Sequence, residues 1–158
     1  MLAVIQKVGD GYIARFDRHL KHSVEKVWSV LTENDKLAKW FPELSVDDLS
    51  EGGVIKFELP NGTSDELRIT ELKMFSVLEY SWWGDSVRFE LYSEPEGCNL
   101  VLKRKIKTIT DHTSKDIAGW HVCLDVIDAL LNDSTIGREE RWRIVYQQYI
   151  QVFQGLLR

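Results

Sequence analysis

What this chain lacks narrows it first. Of its 158 residues only two are cysteine, Cys98 and Cys123, and they form neither a Cys-x-x-Cys pair nor a zinc-ligand spacing. Two lone cysteines read as free thiols of a reducing compartment. Three prolines, Pro42, Pro60 and Pro95, leave no low-complexity segment and fall where helices or strands stop. No apolar run approaches the roughly 18 residues of a membrane span. The opening Met1-Leu2-Ala3-Val4-Ile5, interrupted by Lys7 and Gly9-Asp10-Gly11, is too short for a signal-peptide core, so the expected location is cytoplasmic. Positive charge is not in excess: the formal net charge is −5, and the densest basic cluster, Lys103-Arg104-Lys105 with Lys107, has the alternation of a strand. Nucleic acid and anionic membranes are therefore not expected as partners. His-Glu-x-x-His, Gly-x-Ser-x-Gly and phosphate-loop patterns are missing too, so no catalytic residue, metal ligand or cofactor is assigned.

What is present is aromatic. Six Trp, five Tyr and six Phe stand in a chain that is 44 % hydrophobic, and such rings fill cores or line ligand pockets. The length suits one domain, residues 1–158. Tyr12, Ala14, Phe16 and Leu20 alternate onto one face and predict a strand. Ser23 offers an N-cap, with Val24, Val27, Trp28 and Leu31 as the apolar stripe of a short helix. A second short helix begins near Asn34 or Asp35, ends near Trp40 and is stopped by Pro42.

Alternating apolar residues then recur between turns at Gly52-Gly53, Pro60-Asn61-Gly62, Gly84-Asp85 and Pro95-Glu96-Gly97, the pattern of an antiparallel meander. Thr113 and Asp116 stand at capping-box spacing before a long helix. One face of that helix carries Ile117, Trp120, Leu124, Ile127 and Leu131, and a narrow polar stripe carries His121, Asp125, Asp128 and Asn132. A last helix, with Trp142, Val145, Tyr149 and Val152 on one face, is expected to pack on the long one. The expected architecture is α+β: a curved antiparallel sheet of about six to seven strands wrapped around a long C-terminal helix. Its core is residues 10–133, and the appended helix is 138–154.

This order of elements resembles the helix-grip fold of the START-like superfamily. The segment from Phe16 to Phe41 resembles the opening of the family named for the activator of the ninety-kilodalton heat-shock protein's ATPase. Arg18, His22, Ser23, Val27, Trp28, Leu31, Thr32, Trp40 and Phe41 fit its first strand, helix and Trp-Phe turn, and Gly119, Trp120, Leu124 and Asp125 fit its closing helix. The stretch from Trp142 to Tyr149 resembles an appendage of bacterial members. The superfamily includes lipid and hormone carriers, aromatic polyketide cyclases, resistance proteins and co-chaperones. The resemblance implies a non-enzymatic container for a small hydrophobic ligand, lipid-like or planar and aromatic. Its alternatives are a co-chaperone-like protein contact and a cyclase- or hydrolase-type enzyme; a homodimer contact is a further possible partner. Eukaryotic co-chaperones carry this domain behind a further N-terminal one, for which this chain has no room.

Strand alternation puts Phe57, Tyr80, Trp82, Phe89 and Leu91 on the inner face of the sheet, opposite Trp120 and Leu124 of the long helix. The same parity turns Arg18, Glu71 and Arg104 inward, unless strand-end exposure or a bulge reverses it. A buried charge costs several kcal/mol unless paired. Arg18 or Arg104 is therefore expected to meet Glu71, or an anionic or carbonyl oxygen of a ligand, through its two-pronged guanidinium. Glu71 is also the expected inward proton carrier if the protein is an enzyme. His121, on the polar stripe, is expected to face solvent or a neighbouring helix.

Overall fold

Alternation builds the sheet and a 3.6-residue period builds the helices. In the computed structural model, which describes residues 1–157, eight strands and four helices form. The strands are β1 (Val4–Val8), β2 (Gly11–Leu20), β3 (Leu44–Asp48), β4 (Val54–Glu58), β5 (Ser64–Lys73), β6 (Val77–Trp82), β7 (Asp85–Glu94) and β8 (Gly97–Ile106). The helices are α1 (Val24–Thr32), α2 (Asn34–Trp40), α3 (Thr113–Leu131) and α4 (Arg138–Leu156). The strands make one antiparallel sheet in the order β1-β2-β8-β7-β6-β5-β4-β3. This is the helix-grip α+β fold, with α3 laid across the sheet. Eight strands stand against an expected six to seven, and β1 and β3 are the two that alternation does not mark. β1 is an edge strand hairpinned to β2 through Gly9, whose φ of 59° suits the tight turn. β3 is the opposite edge and carries Asp47 and Asp48, which masked its alternation.

Ser23 caps α1 by accepting the Lys26 N–H at 3.2 Å. The capping box expected at α3 does not form. His112 is the N-cap residue, the Thr113 hydroxyl accepts the Thr110 N–H at 2.8 Å, and Asp116 turns to Arg104 instead. Cys98 and Cys123 are both buried free thiols.

α4 packs along α3, burying Val145, Tyr149 and Phe153 at four-residue spacing. Its start is fastened to α2: Arg138 Nη1 donates to the Trp40 carbonyl at 2.9 Å. Burying an aliphatic or aromatic side chain of this kind stabilises a fold by about 1.5–3 kcal/mol.

One expected site residue is displaced by the sheet itself. Ile69 pairs with Tyr80, but Glu71 pairs with Glu79, so one extra residue is accommodated in β5. Such a bulge reverses the parity of everything after it. Glu71 therefore lies on the outer face, where Arg88 Nη1 donates to it at 2.7 Å. The inward Glu71 expected from strict alternation is corrected accordingly. No helix among the described residues is long and apolar enough to cross a membrane.

Candidate ligand cleft

The space between sheet and α3 is occupied largely by aromatic rings. Trp120 lies 5.0 Å from Trp82, 5.4 Å from Phe41 and 6.3 Å from Phe89, between ring centroids. Tyr80 lies 6.4 Å from Phe89 and 6.3 Å from Trp82. Most of these pairs are tilted or edge-to-face, the favourable arrangement for aromatic quadrupoles. Tyr80, Phe89, Trp120 and Leu124 are all at most 2 % exposed. These four of the expected ligand residues are packed core. Leu91 is buried at the far end of β7, where a depression of about 560 Å³ is lined by Leu91, Val24 and Phe75 among mostly charged and polar turn residues.

The aromatic layer reaches the surface at the other end of β7. There a cleft of about 500 Å³ opens between the β6–β7 turn, the end of β8 and the first turn of α3. Phe41, Phe57, Trp82, Trp83 and Ile106 give it apolar walls, and Asp85, Arg104, His112, Thr113 and Asp116 give it a polar side. Trp83 sits at the rim, half exposed, with φ of 40°. A left-handed tryptophan costs about 1–2 kcal/mol. Its indole is held by edge-on contacts to Trp82 at 4.8 Å and Phe57 at 4.9 Å, and by donation from Nε1 to Asp65 at 3.0 Å.

Of the ten expected ligand residues, Phe57, Trp82 and Arg104 line this cleft. Phe41, Trp83, Asp85, His112 and Asp116 line it as well and went unrecognised. The consecutive Trp82-Trp83-Gly84 was the available signal: strand parity throws Trp83 outward, but a turn conformation brings it back over Phe57.

Arg104 does not meet Glu71. Its Nη2 lies 3.0 Å from Asp116 and its Nη1 lies 3.7 Å from Asp85 and donates to the Lys105 carbonyl. Its Nε is buried without a hydrogen-bond partner among the described residues. Burial pushes the Asp116 carboxyl above its ordinary range, although the Arg104 charge and hydrogen bond pull it down. Asp85 also accepts the Lys107 backbone N–H at 2.9 Å.

Arg18 belongs to a different network, on the side of α3 covered by α4. It donates to Asp125 Oδ1 at 2.6 Å, and Asp125 Oδ2 faces Arg141 at 3.4 Å and His121 Nε2 at 3.6 Å. His121 meets the neighbouring helix, the second of its two expected settings: it is buried where α4 covers the His121 and Asp125 part of the polar stripe. Its Nδ1 lies 2.8 Å from the Tyr149 hydroxyl, which also accepts the Ala3 N–H at 2.8 Å. The Asp125 carboxylate facing Nε2 favours the His121 proton on that nitrogen, which leaves Nδ1 to accept from the Tyr149 hydroxyl. Burial, with Arg18 adding to it and Asp125 opposing, lowers the His121 pKa to about 4. No group of three or more His, Cys, Asp or Glu that could hold a metal occurs among the described residues.

A grip of antiparallel sheet on a long helix is the START-like architecture. The family model described as Activator of Hsp90 ATPase homolog 1-like protein matches residues 21–132, and the chain belongs to that family. Solved structures share the fold. A conserved protein of unknown function from Enterococcus faecalis superposes with a TM-score of 0.87 at 23 % identity, over 98 % of this chain and 91 % of its own. CalU16 from Micromonospora echinospora does so at 0.72 and 19 %, over 94 % and 95 %. A protein from Bordetella parapertussis does so at 0.72 and 22 %, over 92 % and 87 %. No curated protein matches the chain.

Proposed function

We propose that the chain binds a small hydrophobic molecule, planar and aromatic in its apolar part, in the cleft between Trp83 and the first turn of α3. One observation carries this reading: an aromatic wall of Phe41, Phe57, Trp82 and Trp83 stands directly beside a buried arginine with an unsatisfied donor. The cleft pairs its aromatic wall with a polar side of similar extent, and its volume exceeds the roughly 300 Å³ at which small-molecule pockets begin. A flat ring system would lie against Phe57 and Trp83, and its polar atom would point to Arg104. The full interior explains why the binding place is the mouth of the grip and not its centre.

The test is a tryptophan-fluorescence titration against polycyclic aromatics, phenols, sterols and fatty acids, repeated with Phe57→Ala and Trp83→Phe. Saturable quenching by one class, weakened about tenfold in Phe57→Ala, is expected. A folded Phe57→Ala protein with unchanged affinity would place the ligand elsewhere.

A second reading, a protein-interaction module of the kind the family's name implies, is favoured by the outer face of the sheet. There Glu90 is fixed by Arg88 and Lys103, Arg88 also binds Glu71, and Tyr92 donates to Glu90 at 2.8 Å. Such a rigid charged lattice suits a complementary protein surface. Calorimetric titration with a purified ninety-kilodalton heat-shock protein, compared with Lys103→Glu, separates the two readings.

A further inference from the structure

The polar side of the cleft has a sign. Arg104 is surrounded by two carboxylates, Asp116 at 3.0 Å and Asp85 at 3.7 Å. One positive charge and two negative ones leave the side chains in contact around the guanidinium with a net charge of −1. An arginine that recognises a carboxylate or phosphate offers its fork to the ligand. Here both Nη atoms already face protein oxygens, and Nε is the atom without a partner. Lys105 and Lys107 are exposed and border a neighbouring crevice beyond Asp85, and His112, which lines the cleft, is exposed as well, so solvent screens all three.

We infer that the Asp85–Arg104–Asp116 cluster makes the cleft select uncharged aromatic ligands and reject anionic ones, with Asp116 the specificity-determining residue. This rests on the cleft being the ligand site. An incoming carboxylate meets two fixed carboxylates and an arginine already neutralised by them. A neutral carbonyl or amide oxygen requires no extra countercharge, and a neighbouring N–H or O–H on the ligand finds spare lone pairs on Asp116 or Asp85. The selection thus excludes free fatty acids and aromatic acids and admits amides, ketones and phenols of the same shape.

The test compares 2-naphthamide with 2-naphthoate, which share a ring system and differ in charge. Binding is measured by amide-proton NMR titration of the whole chain at pH 8. In the unaltered protein the amide should bind about tenfold or more tightly than the acid, the effect of one charge against another at short range in a partly wet site. Raising salt from about 20 to about 300 mM should narrow that ratio by screening the repulsion. Asp116→Asn should narrow it further, through tighter binding of the acid.

An acid that binds as tightly as the amide, or a ratio unmoved by both salt and Asp116→Asn, overturns the inference while leaving the cleft as the ligand site. If Asp116→Asn does not fold, the salt series on the unaltered protein decides alone. If neither probe shifts the cleft amides, the binding-site reading fails, and this inference with it.

Discussion

The buried His121 should make stability fall as the solution is acidified, by an amount that follows from its surroundings. In the fold its Nε2 faces the Asp125 carboxylate, which favours the proton there and leaves Nδ1 to accept from the Tyr149 hydroxyl. Protonating the imidazole makes Nδ1 a donor and leaves the Tyr149 hydroxyl proton without that acceptor. Burial disfavours a cation there most, Arg18 and Arg141 add to it, and Asp125 only partly compensates. The folded pKa is about 4 against an ordinary value of 6.5. Because the folded value is depressed, the unfolded chain binds the proton more readily between these limits. Stability is therefore unaffected by this group above pH 6.5, declines below it, and stops declining near pH 4. At about 1.4 kcal/mol per pH unit the full loss is about 3 kcal/mol. The assay is denaturant unfolding between pH 8 and 4 for the unaltered protein and for His121→Asn, whose carbonyl oxygen can still accept from Tyr149. Acid-sensitive groups elsewhere are common to both proteins, so the difference between the two curves isolates His121. That difference should shift by about 3 kcal/mol in favour of His121→Asn across the window. A difference that stays constant with pH refutes the reasoning.

Two further outcomes are expected. Glu90→Gln should destabilise the fold by about 1–3 kcal/mol at neutral pH. Burial would raise the Glu90 carboxyl, but hydrogen bonds from Arg88, Tyr92 and Lys103 outweigh it and bring it to about 2, so the contribution is complete above pH 4.5 and disappears as pH falls towards 2. The two unfolding curves should converge on acidification, and parallel curves count against the lattice. Trp120→Ala should cost about 3–5 kcal/mol of stability, because Trp120 is 2 % exposed and wedged among Trp82, Phe41 and Phe89. Its thermal midpoint is the readout, and a normal midpoint would mean that the ring stands in an open cavity.

The fold was legible because alternation and helical period are local. Ile55 to Leu59, Val87 to Leu91 and the stripe from Ile117 to Leu131 announce their elements without help from distant residues. The site was less legible because it depends on events that no pattern carries. The bulge after Ile69 sends Glu71 outward, a positive φ folds Trp83 back over Phe57, and α4 covers the His121 and Asp125 end of the polar stripe of α3. Inward arginines could be read from parity at Arg18 and Arg104. Their partners, Asp125 and Asp116, come from a helix whose rotation over the sheet is decided by packing.

The place of β2 in the sheet has a consequence for how the chain acquires its shape. β2 is the second strand made, yet on one side it pairs with β8, with Tyr12 opposite Ile106. The hairpins from β5 through β8 close over a few residues each, whereas this seam must bring together segments some ninety residues apart. Closing so long a loop is entropically slow. The meander is therefore the natural nucleus, and β2 arrives afterwards, carrying α1 and α2 with it. The tie from Ala3 to Tyr149 spans 146 positions and closes last. On a ribosome the β1–β2 hairpin would wait with the far edge of β2 unpaired until β8 had been synthesised.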